Sequence, residues 1–133
     1  MPNEERVPIL SDVDIVIARQ KGRAMAAQIG FSGAEATLIA TSISEVARNI
    51  LEYAVRGEII LRPEQNGSVP GMAVIARDEG PGIPDIPLAM QDGYTTGRGL
   101  GLGLPGSRRL MDEFQIESSV GVGTTVTMRK WVR

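Results

Sequence analysis

The sequence predicts an α/β (α+β) two-layer sandwich, in which helices cover one face of a mixed, mostly antiparallel sheet. Three observations support this prediction. Two helix-capping signatures each precede a long segment with helical character, an Asn66-Gly67 turn joins two strand-like runs, and two more strand-like runs end the sequence. The 133 residues suit one core, so we expect residues 1–133 to form a single domain.

The first strand and the first helix are predicted within residues 7–30. Val7 to Leu10 has strand character, and Ser11 followed by Asp14 forms an S-x-x-D capping signature. Gly30 is suited to ending the helix that this signature begins.

A second helix is predicted to begin after Ser32, which repeats the signature with Glu35, and to end near Gly57. Its apolar residues are spaced four, three and four apart and therefore face a core. They are Ile39, Ile43, Val46 and Ile50.

The second half of the chain is predicted to contain four strands and one long loop. Residues 58–64 and 71–77 form an antiparallel pair, and residues 114–120 and 124–132 form another. Between the two pairs, residues 78–104 hold seven glycines and three prolines, which is typical of a functional loop. Within that loop a small helix is expected around residues 86–90, and residues 104–114 are predicted to be helical.

Composition excludes several kinds of function. The chain has no cysteine and no histidine, so disulfides, thiolate catalysis, Ser-His-Asp triads and H-E-x-x-H zinc sites are excluded. A net charge of -2 argues against nucleic acid as a partner. There is no apolar run long enough to span a membrane and no secretory signal pattern at the N-terminus, so we expect a cytoplasmic protein.

Two polar positions are candidates for ligand binding. Glu45 and Asn49 are spaced i, i+4 and share one face of the second helix. Asp78 follows a strand directly, where a carboxylate can accept a hydrogen bond, and Gly80 and Gly82 allow a flat ligand to approach the backbone. Each pattern alone is common on a solvated helix face or in a turn.

Glycines alternate with other residues from Gly97 to Gly103, immediately before the predicted helix. Such a stretch offers free N–H groups and a positive dipole end to phosphates. The G-x-G-x-x-G match that begins at Gly101 follows no strand, so it does not indicate a dinucleotide fold, and no P-loop motif is present.

Taken together, in this order and spacing, the motifs resemble those of the GHKL superfamily of ATP-binding proteins, and in particular its anti-sigma-factor kinases and stressosome switch kinases. Glu45-x-x-x-Asn49 matches the N box, Asp78-x-Gly80-x-Gly82 the first glycine box, Gly101-x-Gly103 the second, and Gly123-Thr124 the final G-T element.

The resemblance implies that the site binds ATP and Mg²⁺. In such a site Asp78 accepts from the adenine amino group, Thr124 supports the adenine pocket, Asn49 holds Mg²⁺, and Glu45 is the general base. The nucleotide-binding lid includes Arg98, although sibling kinases carry this arginine one residue closer to the second glycine box. The lid over the phosphates runs from Gly97 to Gly103, and the other nucleotide-binding residues here are Gly99, Gly101, Leu102, Gly103 and Leu104.

The resemblance also implies a partner-switching protein serine/threonine kinase. Its phosphoacceptors would be STAS-domain scaffold and antagonist proteins, and on release it would activate a PP2C-type phosphatase. Two alternatives remain open. One is an anti-sigma factor that chiefly sequesters a sigma subunit, and the other is a non-catalytic module whose binding is gated by ATP.

Overall fold

The computed structural model describes residues 2–54, 56–80 and 108–133, which form two helices and five strands. In chain order the elements are β1 (Glu5–Ile9), α1 (Asp12–Ile29), α2 (Gly33–Tyr53), β2 (Gly57–Asn66), β3 (Val69–Asp78), β4 (Glu113–Ser119) and β5 (Gly123–Trp131).

The strands form one sheet with the order β1-β2-β3-β5-β4. Each of the four pairings among the described strands is antiparallel, whereas a mixed sheet was predicted. Asn66 ends β2 and Val69 begins β3, and Gly67 between them has a φ of 63°. The Asn-Gly turn and the predicted two-layer α/β architecture are therefore confirmed.

Both predicted helix starts are confirmed. The Asp14 carboxylate accepts hydrogen bonds from the backbone N–H groups of Leu10 and Ser11, at 2.8 and 3.2 Å. The Ser32 hydroxyl accepts from the N–H of Glu35 at 3.1 Å. These bonds satisfy N–H groups near each helix start that have no partner within the helix.

The core lies between the helices and one face of the sheet. The α2 stripe predicted from spacing is buried there, with exposures of 0% to 2% for Ile39, Ile43, Val46 and Ile50. Gly22 lets α1 approach this stripe, because a Cβ at that position would lie 2.1 Å from Cδ1 of Ile43. Each of the four fully buried side chains contributes about 1.5–3 kcal/mol.

The ends of two predicted helices differ from the structure, and the predicted strand bounds differ by one or two residues. Helix α2 ends at Tyr53, before the expected Gly57, because Gly57 already pairs with Asp78 as the first residue of β2. The predicted helix 104–114 is wrong at its C-terminal end: residues 108–110 are helical, but β4 begins at Glu113. Exposure alternates along β4 with the period of two expected of an edge strand.

Residues 86–90, where a small helix was predicted, lie outside the described residues. No helix in the part of the chain that the structure describes is long and apolar enough to cross a membrane.

Candidate functional site

Asp78 is the last residue of β3 and is held by two backbone groups. Its Oδ1 atom accepts a hydrogen bond from the N–H of Gly80 at 2.9 Å and another from the N–H of Thr124 at 3.2 Å. The side chain is half-buried. Both of these bonds use Oδ1, so neither occupies Oδ2, the oxygen with which Asp78 can accept from a ligand.

A row of residues crosses the sheet at this end. In the strand register Gly57 pairs with Asp78, Asp78 with Thr124, and Thr124 with Ser118. The hydroxyl oxygens of Thr124 and Ser118 lie 2.9 Å apart, and the Ser118 hydroxyl is 3.2 Å from the carbonyl oxygen of Gly123. We call Asp78, Gly80, Ser118 and Thr124 the Asp78 cluster.

Gly123 is required for the closeness of this row. Its φ of +146° lies in the region that favours glycine, and a Cβ there would lie 2.1 Å from the carbonyl oxygen of Asp78. The G-T element predicted from sequence therefore brings the backbone of β5 directly against the end of β3.

Gly80 joins the Asp78 cluster to the C-terminal end of α2. A Cβ on Gly80 would lie 2.7 Å from Cβ of Ala54 and 2.9 Å from the carbonyl oxygen of Tyr53. A side chain would push the helix end away from β3, so glycine here sets the distance between the cluster and α2.

Glu45 and Asn49 lie one turn apart on α2, and both are half-buried beside the buried stripe. We call these two residues the α2 polar face. The Glu45 carboxylate forms an ion pair with Arg48, with an N–O distance of 3.6 Å and an Arg48 side chain that is 52% exposed. A pair this exposed contributes little to stability, so the carboxylate is free to exchange Arg48 for another partner.

The structure therefore places some of the predicted residues in direct hydrogen-bond contact and not others. Asp78, Gly80 and Thr124 are linked by direct hydrogen bonds. Asn49 and Glu45 lie about one and two turns before Tyr53, the end of α2 that lies beside Gly80. Among the described residues no hydrogen bond links them to Asp78. The remaining predicted residues lie outside the described ranges: Gly82, Arg98, Gly99, Gly101, Leu102, Gly103 and Leu104.

Sequence reasoning missed Ser118, which belongs to the Asp78 cluster, and Tyr53, whose backbone lies beside Gly80. Ser118 could have been found from strand register, since it faces Thr124. Tyr53 ends α2, and its hydroxyl is buried without a hydrogen-bond partner in the part of the chain that the structure describes. A buried hydroxyl with no partner carries a free-energy cost, which a polar ligand can remove. The sequence held no signal for Tyr53 beyond its place one turn after Asn49.

This arrangement fits a nucleotide and its metal. A carboxylate oxygen at a strand end and close glycine backbone suit a base and its polar substituents. In the described ranges no group of three acidic, histidine or cysteine residues could hold a metal. The donors on α2 are one amide and one carboxylate, which suits Mg²⁺ bound largely through phosphates and water.

Comparisons with known proteins identify the family of the chain. The family model described as "Histidine kinase-like ATPase domain" matches residues 11–130. The chain is 47% identical to serine/threonine-protein kinase RsbT of Bacillus subtilis (strain 168) over 133 residues, covering 100% of both chains.

More distant relatives are named anti-sigma F factors. The anti-sigma F factor of Thermoanaerobacter sp. (strain X514) is 35% identical over 121 residues, which cover 86% of this chain and 83% of that protein. The anti-sigma F factor of Geobacillus stearothermophilus is 35% identical over 124 residues, with 85% and 81% covered. Among solved structures, the mycobacterial sensor histidine kinase MprB matches with a TM-score of 0.59 at 14% identity, covering 98% of both chains. At that identity the similarity concerns the fold.

Proposed function

Because this chain belongs to the histidine kinase-like ATPase family, in the GHKL anti-sigma-factor kinase group near RsbT, we infer that it is an ATP-dependent protein serine/threonine kinase. We propose further that its acceptors are serine or threonine hydroxyls of STAS-domain scaffold and antagonist proteins. Identity of 47% over the whole chain to a serine/threonine-protein kinase is the observation that carries the kinase assignment.

The Asp78 cluster is proposed to bind the adenine. Oδ2 of Asp78 accepts from the adenine amino group, while Oδ1 stays bonded to the N–H groups of Gly80 and Thr124. The backbone therefore orients the carboxylate before the nucleotide arrives. The Thr124 hydroxyl, close to Ser118, supports the same pocket.

The α2 polar face is proposed to serve the phosphate end. Asn49 would hold Mg²⁺, which supplies charge neutralisation to the phosphates when bound. Glu45, one turn further from the Asp78 cluster, accepts the proton of the acceptor hydroxyl. The acceptor oxygen forms a bond to the γ-phosphorus as the bond from that phosphorus to the β-γ bridging oxygen breaks, and ADP leaves.

We also propose a role for this transfer in partner switching within a stressosome pathway. Phosphorylation of the STAS partner would weaken its contact with the kinase, and the released kinase would then bind and activate a PP2C-type phosphatase. These steps follow from the resemblance to switch kinases and have their own tests: co-purification before and after ATP addition, and phosphatase activity with and without the kinase.

Transfer of labelled phosphate is the experiment that tests the main proposal. The purified chain is incubated with γ-labelled ATP, Mg²⁺ and a STAS-domain protein, and the acceptor residue is mapped by mass spectrometry. The proposal expects label on a serine or threonine of the STAS protein. Absence of label, with ATP binding intact, would favour the module gated by ATP.

A second function is favoured by the anti-sigma F relatives at 35% identity. Under this hypothesis the chain sequesters a sigma subunit, and phosphorylation serves to release the partner. Binding of the chain to a sigma factor and to a STAS protein, compared side by side by calorimetry, separates the two readings. Tight binding to the sigma factor would favour the anti-sigma function.

A further inference from the structure

The side chains of Ser118, Thr124 and Asp78 lie on the same face of the sheet. Thr124 pairs with Asp78 on one side and with Ser118 on the other, and residues that pair directly across a ladder present their side chains to the same face. Val126 and Met128, the next alternate residues of β5, are buried in the core. This face is therefore the one that the helices cover, and the Thr124 hydroxyl lies one strand away from the carboxylate proposed to bind adenine.

The direction of the hydrogen bond between Ser118 and Thr124 follows from the number of hydrogens available. A hydroxyl group carries one hydrogen and two acceptor lone pairs, whereas a carbonyl oxygen can only accept. The Ser118 hydroxyl donates to the carbonyl oxygen of Gly123 at 3.2 Å. Its hydrogen is therefore engaged, so Thr124 is the donor in the 2.9 Å contact between the two hydroxyl oxygens.

The Thr124 hydroxyl is consequently an acceptor toward any other group. Its one hydrogen points at Ser118, the only hydrogen-bond partner of this hydroxyl in the part of the chain that the structure describes. The two lone pairs of Oγ1 then remain for a ligand. The Oδ2 atom of Asp78 is also an acceptor, since an ionised carboxylate has no hydrogen to donate. These two side chains therefore offer a ligand acceptors and no donor.

A pair of acceptors distinguishes purines by the substituent at carbon 6 of the base. Adenine carries an amino group there, which donates, whereas guanine and hypoxanthine carry a carbonyl oxygen, which accepts. A carbonyl oxygen opposite two acceptors would leave polar groups of the site and of the ligand unpaired, which costs binding free energy. A Thr124 hydroxyl that was free to turn would reduce this cost, because it could donate to the carbonyl oxygen.

We propose that Ser118 is a positioning residue for nucleotide selection. It holds the hydrogen of the Thr124 hydroxyl away from the ligand, so that the site selects a 6-amino purine over a 6-oxo purine. The proposal deepens the proposed ATP-binding function and rests on it. Because Ser118 acts through Thr124, its effect should appear in the selectivity between nucleotides more than in the affinity for ATP.

Calorimetric titration of the full chain with ATP and with inosine triphosphate, both in Mg²⁺, measures this selectivity. Inosine triphosphate carries hypoxanthine in place of adenine and is otherwise identical to ATP. The wild-type chain should bind ATP more tightly. Ser118→Ala should lower the ratio of the two affinities by about tenfold, mainly through tighter binding of inosine triphosphate.

Ser119→Ala is the matched control for this titration. Ser119 is exposed and is the neighbour of Ser118 at the end of β4, so the same change there should leave the ratio unchanged. Both affinities are measured on one preparation of each variant. A fraction of unfolded protein therefore does not alter their ratio.

The Thr124→Val background tests whether Ser118 acts through the Thr124 hydroxyl. Valine keeps the branched shape of threonine and removes the hydroxyl, so adding Ser118→Ala to this background should no longer change the ratio. The double-mutant cycle should then show a coupling of about tenfold between the two positions. A merely structural role of Ser118 would change both affinities equally and would persist in the Thr124→Val background.

Three results would overturn the role of Ser118. They are equal affinities of the wild-type chain for the two nucleotides, an unchanged ratio in Ser118→Ala, and a change of ratio that persists in Thr124→Val. A wild-type chain that binds neither nucleotide would instead contradict the proposed ATP-binding function, and the selection proposal would fall with it. Failure of the proposed function and failure of the selection proposal are therefore distinguishable in the same titrations.

Discussion

The Asp78 cluster and the α2 polar face are positioned by different physical means. Asp78 is held by two backbone N–H groups, and its neighbour Gly123 contacts it so closely that a single added carbon would collide. Glu45 and Asn49 project from a helix surface, and Glu45 has one ion pair at 3.6 Å. The cluster is therefore preorganised by the fold, whereas the α2 polar face depends on what binds beside it.

This difference indicates that the Asp78 cluster serves nucleotide binding and that Glu45 on the α2 polar face serves phosphate transfer. A preorganised acceptor suits tight, specific binding of a rigid base. A half-exposed carboxylate that can leave its partner suits proton transfer from the hydroxyl of an incoming protein substrate. Substitutions in the cluster should therefore impair folding or ATP binding, and substitutions of Glu45 should impair the rate of transfer.

The largest effect is expected at Gly123. Gly123→Ala introduces a Cβ 2.1 Å from the carbonyl oxygen of Asp78, at a φ of +146°, and should cost more than about 3 kcal/mol of unfolding free energy. Gly121→Ala is the control, because Gly121 also has a positive φ but no atom within 4 Å of its Cβ position, and should cost about 1 kcal/mol. Urea unfolding followed by fluorescence of Trp131, the single tryptophan, measures both. Equal losses of unfolding free energy in the two variants would show that the close contact between Gly123 and Asp78 does not restrict the residue at position 123.

Asp78→Asn should weaken ATP binding by about ten- to a hundred-and-fifty-fold, the value of a charge-assisted hydrogen bond of roughly 1.5–3 kcal/mol. The asparagine oxygen can still accept from Gly80 and Thr124, so the fold should remain. Its amide nitrogen then faces the adenine amino group, donor against donor. Calorimetric titration with ATP measures the loss, and near-normal affinity would refute the adenine role.

Asn49→Ala should weaken nucleotide binding by about tenfold, or about 1.4 kcal/mol, and only with Mg²⁺ present. The amide oxygen is proposed to act through the metal. Calorimetric titrations with ATP, one in Mg²⁺ and one in excess chelator, measure the affinity with and without the metal. A loss of the same size in chelator would show that Asn49 supports the helix and does not reach the metal.

Tyr53→Phe should have the smallest effect. It removes one buried hydroxyl that has no partner in the described ranges, so the free protein should be unchanged or slightly more stable. If a bound nucleotide satisfies the hydroxyl, ATP affinity should fall about fivefold, or about 1 kcal/mol. Unfolding in urea and ATP titration are measured on the same sample, and unchanged affinity would remove Tyr53 from the site.

The fold was largely predictable because its signals are local. The α2 stripe follows from helical spacing, and the β2–β3 turn follows from Asn66-Gly67, whose glycine adopts the positive φ expected. Boundaries were less predictable, since tertiary pairing decides them. Gly57 joins a strand because Asp78 lies opposite, and Glu113 begins β4 because β5 is available to pair with it.

The site was predictable where spacing carries information along the chain. Asp78, Gly80 and Thr124 were identified from motifs, and the structure joins them directly. Ser118 contacts Thr124 across two strands, a relation that appears only once the register is known. Tyr53 became a candidate through the burial of its hydroxyl, which no sequence pattern reports.

The central claim is that the Asp78 cluster determines ATP binding and Glu45 determines the rate of transfer. Its most direct test is Glu45→Gln, measured for ATP affinity and for phosphate transfer to a STAS partner. Glu52→Gln, the same change seven residues and about two turns later on α2, is the control and should alter neither quantity. For Glu45→Gln we expect transfer to fall about a hundredfold or more, with ATP affinity changed less than roughly fivefold. Equal losses in binding and transfer, or no loss in either, would contradict the assignment of Glu45 as the base.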